Sequence, residues 1–138
     1  MKKFEFKLEK ILEYRNYEKK AAEAELAKAL AQENEINRQL QNLAQDYLKL
    51  KKDMRTSFNF EDIMAESRHT NLLNFQKEEL LKSLAQSQLV TEQKRKILQE
   101  CIKKTTALEK LKEKQIKMWK DAVEYEEAEL LDDLKTKK

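Results

Sequence analysis

The stretch LEKILEYRNYEKKAAEAELAKALAQENEINRQLQNLAQDYLKLKKDM, residues 8–54, decides the fold because apolar side chains recur in it at alternating intervals of four and three. Eleven of the fourteen positions in this pattern are apolar. Such a heptad repeat predicts a coiled-coil seam, meaning the line of side chains that faces a partner helix. The polar exceptions are Arg15, Lys19 and Glu33, so the seam is predicted to be weakest toward the N-terminus and strongest from Ile36 onward. The full set is Leu8, Leu12, Arg15, Lys19, Ala22, Leu26, Ala29, Glu33, Ile36, Leu40, Leu43, Tyr47, Leu50 and Met54.

The whole chain of 138 residues contains no glycine and no proline, and 40% of its residues are charged. Glycine and proline are the main residues of turns and strand ends, so their joint absence favours long helices. A net charge of only +3 and many leucines argue against disorder. No apolar run could span a bilayer, no signal peptide is recognisable, and the single cysteine, Cys101, favours a reducing cytosol.

A cluster of Thr, Ser and Asn residues after the first seam predicts a turn, since these side chains bond to local backbone. Asn59 with Asp62 resembles a helix N-cap followed by an acid in the first turn. We therefore predict helix 1 over about 4–56, a turn region over about 57–70 with a short helix at Phe60–Arg68, and helix 2 over about 71–134. The fold class is an all-α, antiparallel two-helix coiled-coil hairpin, forming a single domain of residues 1–138.

Helix 2 carries a less regular seam. The stretch from Ser87 to Lys96 is mostly polar and is predicted to pack more loosely. Farther on, the apolar positions indicate a phase shift of the kind that a stutter produces. The seam before the shift is predicted to be Leu73, Leu80, Leu84, Leu98, Cys101, Thr105 and Leu108, and the seam after it Leu111, Met118, Ala122 and Tyr125.

Blocks of charge support an antiparallel arrangement. Residues 121–134 hold seven acids and no base, whereas residues 94–120 hold ten bases and three acids. Residues 2–20 have a net charge of +3 and residues 21–46 a net charge of −3. Folding the chain back at the turn predicts that 2–20 lie beside 121–134 and that 21–46 lie beside 94–120.

No catalytic constellation is visible. Helix rise separates His69, the only histidine, from Cys101 by about 45 Å, so they cannot form a nucleophile pair. No phosphate-cradling glycine loop exists, and one histidine is too few for a typical metal site. We expect no enzymatic activity, no cofactor and no metal. The lysine-rich stretch from Lys94 to Lys120 could touch nucleic acid, but neighbouring acids favour a salt-bridged coiled-coil surface instead.

The two ends of the chain resemble the flagellar export protein FliJ family. The opening FEFKLEKILEYR, Phe4 to Arg15, is similar to that family's Phe-x-Leu-x-x-Val/Ile-Leu-x-x-Arg pattern. The segment ALEKLKEK, Ala107 to Lys114, resembles its Leu-Glu-Lys-Leu-Lys-Glu motif, and Glu126 to Leu134 resembles its acidic ending. Residues 55–100 carry no recognisable motif.

The resemblance implies a non-enzymatic coiled-coil stalk in the centre of the ring of the export ATPase FliI, within the flagellar type III export apparatus. It implies further contacts with the export gate protein FlhA and with substrate chaperones. A single copy would work in the cytoplasm, at the inner face of the cell membrane and held there only through partners. No nucleic acid is expected to bind.

The matched ends meet at one end of the predicted hairpin, and the expected ATPase contact is placed there. These charges also fit ordinary solvated flanks of a heptad. The ATPase-contact residues are Arg15, Glu109, Lys110, Lys112 and Glu113. The gate or chaperone contact is expected nearer the turn. The alternative for most of these residues is that they pack in the seam between the two helices. The gate-or-chaperone residues are Leu40, Leu43, Tyr47, Leu73 and Phe75.

Two alternatives remain open at this point. The same heptads could make a structural or tethering homodimer, and the same stalk could belong to a virulence-type secretion system.

Overall fold

The computed structural model describes residues 3–54 and 59–136, except for the side chain of Met54. Two helices form within these residues, and no strand does. Helix α1 covers Glu9–Met54, which is 46 residues, and helix α2 covers Phe60–Thr136, which is 77 residues. The two helices pack against each other as an all-α hairpin, which confirms the predicted fold class.

Helix α1 begins where the backbone first closes a turn. The backbone N–H of Glu9 donates to the carbonyl of Phe6 at 3.1 Å, and that of Leu12 donates to Leu8 at 2.9 Å. Glu9 lies in the first turn and lysines 51 and 52 in the last, which complements the helix dipole at both ends.

The N-cap predicted for α2 is confirmed. The side-chain oxygen Oδ1 of Asn59 accepts a hydrogen bond from the backbone N–H of Glu61 at 3.4 Å. The Asn59 carbonyl accepts the first helical bond, from Ile63, at 3.0 Å. Asp62 lies in the first turn, where a negative charge is favourable.

The predicted start of the second helix at residue 71 is wrong, because α2 begins at Phe60. Phe60–Arg68 form its first turns rather than a separate short helix, and Thr70 and Asn71 are interior helical residues. Single polar residues cost a helix only a few tenths of a kcal/mol each, so the cap at Asn59 decides where the helix starts. Ser57, the other residue expected to carry the turn, lies outside the described residues.

The contacts within the chain group into two compact units. We call Met1–Ala22 with Ile97–Lys138 the terminal unit, and Glu23–Lys96 the middle unit. Each unit contains a segment of both helices. The single domain over the whole chain stays a prediction.

The seam of α1 is confirmed, although its predicted gradient is reversed. Among its described positions, Leu12, Ala22, Ala29 and Ile36 are buried, and all the others except Tyr47 are half-buried. The large side chains after Ile36 were expected to pack best, yet Leu40, Leu43 and Leu50 are only half-buried and Tyr47 is exposed. With no further layer of structure, two helices bury a large side chain only where neighbouring residues cover its tip, as they do for Leu12 and Ile36.

The predicted phase shift in α2 is wrong, because burial continues in one heptad phase as far as Trp119. Leu111, Met118, Ala122 and Tyr125 are instead exposed. Only Lys77 is exposed among the continuing seam positions. The buried or half-buried seam positions are Leu73, Leu80, Leu84, Ser87, Thr91, Lys94, Leu98, Cys101, Thr105, Leu108, Lys112, Gln115 and Trp119.

The polar stretch of α2 is also the reverse of a loose region. Thr91 is 3% exposed and Ser87 is buried as well. The Thr91 hydroxyl donates to the carbonyl of Ser87 at 3.0 Å, so burial leaves that group satisfied. Small side chains let two helices approach closely, and a hydroxyl bonded to its own helix does not prevent this.

Candidate partner-binding surfaces

Two cross-helix contacts fix the register of the two helices in the terminal unit. The ammonium of Lys112 lies 2.8 Å from a carboxylate oxygen of Glu9. The hydroxyl of Thr105, which is 1% exposed, lies 2.9 Å from the Cys101 carbonyl and 3.3 Å from that of Arg15 across the interface. In each cross-helix contact the two residue numbers add up to 120 or 121, so the helices run antiparallel and in a constant register.

An aromatic contact joins the segment before α1 to α2. The rings of Phe4 and Trp119 lie 6.2 Å apart between centroids, tilted by 57°. Aromatic pairs in such tilted arrangements add to the stability that burial alone provides. Trp119 is thus a half-buried seam residue.

The structure divides the predicted ATPase-contact residues into two kinds. Arg15 is half-buried, and its guanidinium donates to the Glu18 carboxylate at 3.1 Å. Lys112 is half-buried in the salt bridge to Glu9. Both side chains therefore already have charged partners within the chain. Glu109, Lys110 and Glu113 are exposed and have no salt bridge with another described residue.

A small polar cluster surrounds Glu18. A hydrogen bond from Tyr14, followed by Arg15 and then the charge of Lys104, lowers the pKa of the Glu18 carboxyl. The same hydrogen bond and the carboxylate charge raise the pKa of Tyr14. Because Lys104 belongs to α2, this cluster includes a charge from across the interface.

The predicted pairing of residues 2–20 with residues 121–134 is wrong. Glu9 lies opposite Lys112, and Phe4 lies opposite Trp119. Residues 121–134 therefore extend past the first described residue of the chain, Lys3. Their seven carboxylates form no salt bridge with a described residue.

In the described part of the middle unit, a salt bridge joins Lys94 of α2 to Glu25 of α1 at 3.8 Å. It joins Glu25 of the acidic block 21–46 to Lys94, the first residue of the basic block 94–120. Most of the basic block belongs instead to the terminal unit, where Lys112 lies opposite Glu9, so the predicted pairing is wrong for the greater part of both blocks. The sum of the two residue numbers is 119, which gives the register in this unit.

Two open grooves lie on the middle unit. The first groove has a volume of about 630 Å³ and the second about 460 Å³. Leu43 lines both of them. The first groove is lined by Leu40, Leu43, Ala44, Tyr47, Leu48, Leu73, Asn74, Lys77 and Leu81. The second groove is lined by Gln39, Asn42, Leu43, Asp46, Phe75, Gln76, Glu79 and Leu80.

The structure brings together all five residues predicted for the gate or chaperone contact. Leu40, Leu43, Tyr47 and Leu73 line the first groove, and Phe75 lines the second. Leu73 is buried at 6% exposure, whereas the Phe75 ring is 61% exposed. The ammonium of Lys51 lies 5.3 Å from the centroid of the Tyr47 ring, a cation–π contact that restrains the ring.

Sequence reasoning missed Leu48 and Leu81, which are exposed and line the first groove. Each is an apolar residue one position after a seam residue, Tyr47 or Leu80. Apolar side chains beside a seam widen the apolar stripe, and that signal was available in the sequence.

The described residues hold no group of three or more histidine, cysteine or acidic side chains placed to bind a metal ion. His69 is exposed on α2, and Cys101 is half-buried in the seam. Within the described ranges, no helix has a stretch long and apolar enough to cross a bilayer.

The fold and its surfaces define a class of protein, a helical hairpin with apolar grooves on one unit and charged helix faces on the other. The sequence model of the flagellar FliJ protein family matches residues 4–137, and the chain belongs to that family. It is a component related to flagellar protein export, and the family is non-catalytic. No curated protein and no solved structure gave a match.

Proposed function

We propose that this protein is the non-enzymatic stalk of the flagellar export ATPase ring, and that it links the ring to the export gate and to substrate chaperones. The observation that supports this most is the convergence of five predicted partner-binding residues on two adjoining grooves of the middle unit. Family membership supports the setting in the export apparatus.

The ATPase contact would fall to the exposed charges of the terminal unit. Glu109, Lys110 and Glu113 are free to meet charges on a ring subunit. Arg15 and Lys112 would support this surface indirectly, because Arg15 pairs with Glu18 within α1 and Lys112 pairs with Glu9 across the two helices. A two-helix stalk presents a different face to each ring subunit and can therefore favour different subunit conformations.

The gate or chaperone contact would use the two grooves. Exposed apolar surface usually marks a protein-binding site, and aromatic anchors carry much of the binding energy at such sites. Phe75 and Tyr47 supply such anchors, and Leu43 contributes to both grooves. In this proposal the protein works in the cytoplasm and reaches the inner face of the membrane only through its partners.

The test uses the full chain with the purified export ATPase and gate protein of the same organism. The chain alone should hydrolyse no ATP, and it should raise ring assembly or turnover of the ATPase. Charge reversal of the terminal unit (Glu109→Lys, Lys110→Glu, Glu113→Lys) should abolish that effect and leave gate binding intact.

The complementary variant changes the grooves, with Phe75→Ala and Leu48→Ala. It should weaken gate or chaperone binding and leave the ATPase effect unchanged. Leu89→Ala provides the matched control, because Leu89 is a comparably exposed leucine that lines neither groove. Absence of any binding or stimulation by the unmodified chain would contradict the proposal.

A further inference from the structure

A second apolar stripe runs along α2 in the terminal unit, and α1 does not cover it. Leu111, Met118 and Tyr125 follow one another at intervals of seven residues, and Ile97 stands two heptads before Leu111. All four are exposed, Met118 by 62% and Tyr125 by 66%. Between Ile97 and Tyr125, Lys104 is the one polar residue at this heptad position, and Asp132 follows one heptad after Tyr125. A stripe with seven-residue spacing is what a partner helix in a coiled coil requires.

This stripe is distinct from the seam that holds the hairpin together. Leu111 and Met118 each precede a seam residue by one position, so the stripe is turned about 100° around the helix from the seam. Glu109 and Glu113 stand two positions from Leu111 and are turned about 200° from it, on the opposite side of α2. Of the proposed ATPase-contact residues, Glu109 and Glu113 therefore lie away from the stripe, whereas Lys110 borders it.

The charges beside the stripe are self-complementary. Residues 94–120 have a net charge of +7, and residues 121–134 have a net charge of −7. Helix α1 does not neutralise the acidic block, because Phe4 already lies opposite Trp119 and the acidic block extends beyond it. An antiparallel copy of α2 centred near Met118 would set each basic block beside an acidic one. A parallel copy would set like charges together.

We propose that a second copy of this chain binds the stripe, with the two α2 helices antiparallel and the twofold axis near Met118. Such an interface is isologous, so one set of side chains supplies both halves of the contact. The monomer, which the sequence analysis expects, is then the form that is present at low protein concentration or high salt. The proposal goes beyond the stalk function and does not depend on it.

Sedimentation equilibrium of the full chain tests this at concentrations up to about 100 µM, a range in which weak pairing can be measured. A monomer–dimer equilibrium is expected, and it should weaken as salt rises from about 0.05 M to about 0.5 M, because screening reduces the attraction between the blocks. The double variant Met118→Glu, Tyr125→Glu should weaken dimerisation at least about tenfold. The control Leu89→Glu, Val90→Glu, at exposed positions of the middle unit, should not.

Two charge variants make the test specific. In the first, Lys103, Lys104 and Lys110 are changed to Glu, and in the second, Glu126, Glu129 and Asp132 are changed to Lys. Neither should self-associate, and their equimolar mixture should form a dimer, since the two sequences then complement each other in both halves. Circular dichroism confirms that each variant is helical.

Three outcomes overturn the proposal. The first is a monomer at every concentration in low salt, which leaves the stripe to a different partner. The second is a dimer that Met118→Glu, Tyr125→Glu does not weaken. The third is a mixture of the charge variants that stays monomeric.

Discussion

Two sections of the middle unit use the same seam in different ways. Around Ala29, Ser87 and Thr91 the seam is closed, because its side chains are small and buried. Between Leu40 and Leu50 the seam is open, with large side chains that are only half-buried or exposed and that line two grooves. The closed section is the less hydrophobic of the two, so hydrophobicity alone does not tell which part of a two-helix seam is tightly packed.

The difference shows how a two-helix hairpin can combine a tightly packed section with a section that leaves apolar surface exposed. Small residues let the helices approach closely and leave little apolar surface for a partner to contact. Leucine and tyrosine side chains, in contrast, leave apolar surface exposed in the grooves. Exposed apolar surface of that kind favours association. We therefore expect the closed section to contribute most of the stability of the middle unit, and we propose that the open section binds partners.

The largest effect is expected from overfilling the closed section. Ala29→Phe places a ring where the helices are in close contact and should lower the free energy of unfolding by about 3 kcal/mol. Ala44→Phe makes the same change in the open section, at an exposed groove residue, and should alter it by less than about 0.5 kcal/mol. Urea denaturation followed by circular dichroism measures both, and equal losses would refute the comparison.

Truncation of a large seam residue should give the next largest effect. Ile36 is 5% exposed, so Ile36→Ala should cost about 2 kcal/mol through lost burial and a cavity. Leu43→Ala removes a half-buried side chain from the groove wall and should cost about 1 kcal/mol. The same denaturation experiment applies, and a greater loss for Leu43→Ala would mean that the open section carries the stability.

A hydroxyl deletion extends the comparison to the terminal unit. Thr105→Val keeps the shape of the side chain but removes the hydroxyl that donates to the Arg15 carbonyl across the interface. The free energy of unfolding should fall by about 1 kcal/mol. Thr136→Val removes a hydroxyl that bonds only to its own helix at an exposed position, and it should have no measurable effect. Thermal unfolding of the two variants decides this, and identical midpoints would count against a register role for Thr105.

The smallest effect concerns pH. The pKa of Glu18 is lowered in the folded protein, so its contribution to stability is complete above the ordinary value of 4.5 and is lost as pH falls through the lower folded value. Glu18→Gln should therefore reduce the loss of stability on acidification. Denaturation midpoints at a series of acidic pH values give the slope, with the exposed Glu13→Gln as control; an unchanged slope for Glu18→Gln would argue against the cluster.

The heptad pattern of residues 8–54 was sufficient to predict the hairpin and the seam of α1, since burial there follows the spacing of apolar residues. The spacing of apolar residues did not predict the seam of α2 correctly, because polar residues occupy several seam positions there. Lys112 can occupy a seam position because its aliphatic stem packs against α1 while its ammonium reaches Glu9. A prediction based on hydropathy alone instead placed the seam at Leu111 and Met118, which are exposed.

For the candidate sites, the structure gives the positions of the predicted residues, and their contacts with partners stay predictions. The five groove residues converge because seam and near-seam positions on antiparallel helices meet in a constant register. The sequence could not reveal that Lys112 pairs with Glu9, since that depends on which α2 residue lies opposite each α1 residue. It also placed the acidic block of residues 121–134 against the wrong partner for the same reason. The pair of Arg15 with Glu18, by contrast, follows from a spacing of three residues on one helix.

The unbroken heptad phase of α2 has a consequence for how such a chain can change over evolutionary time. Deleting one residue from a seam segment would rotate every later side chain by about 100° and would remove all of them from the interface at once. Loss or gain of seven residues would restore the phase, but only if the opposite helix changed by the same length. Descendants of this sequence should therefore differ in length by matched pairs of heptads, or at the ends of the helices, where no facing residue needs to move with them.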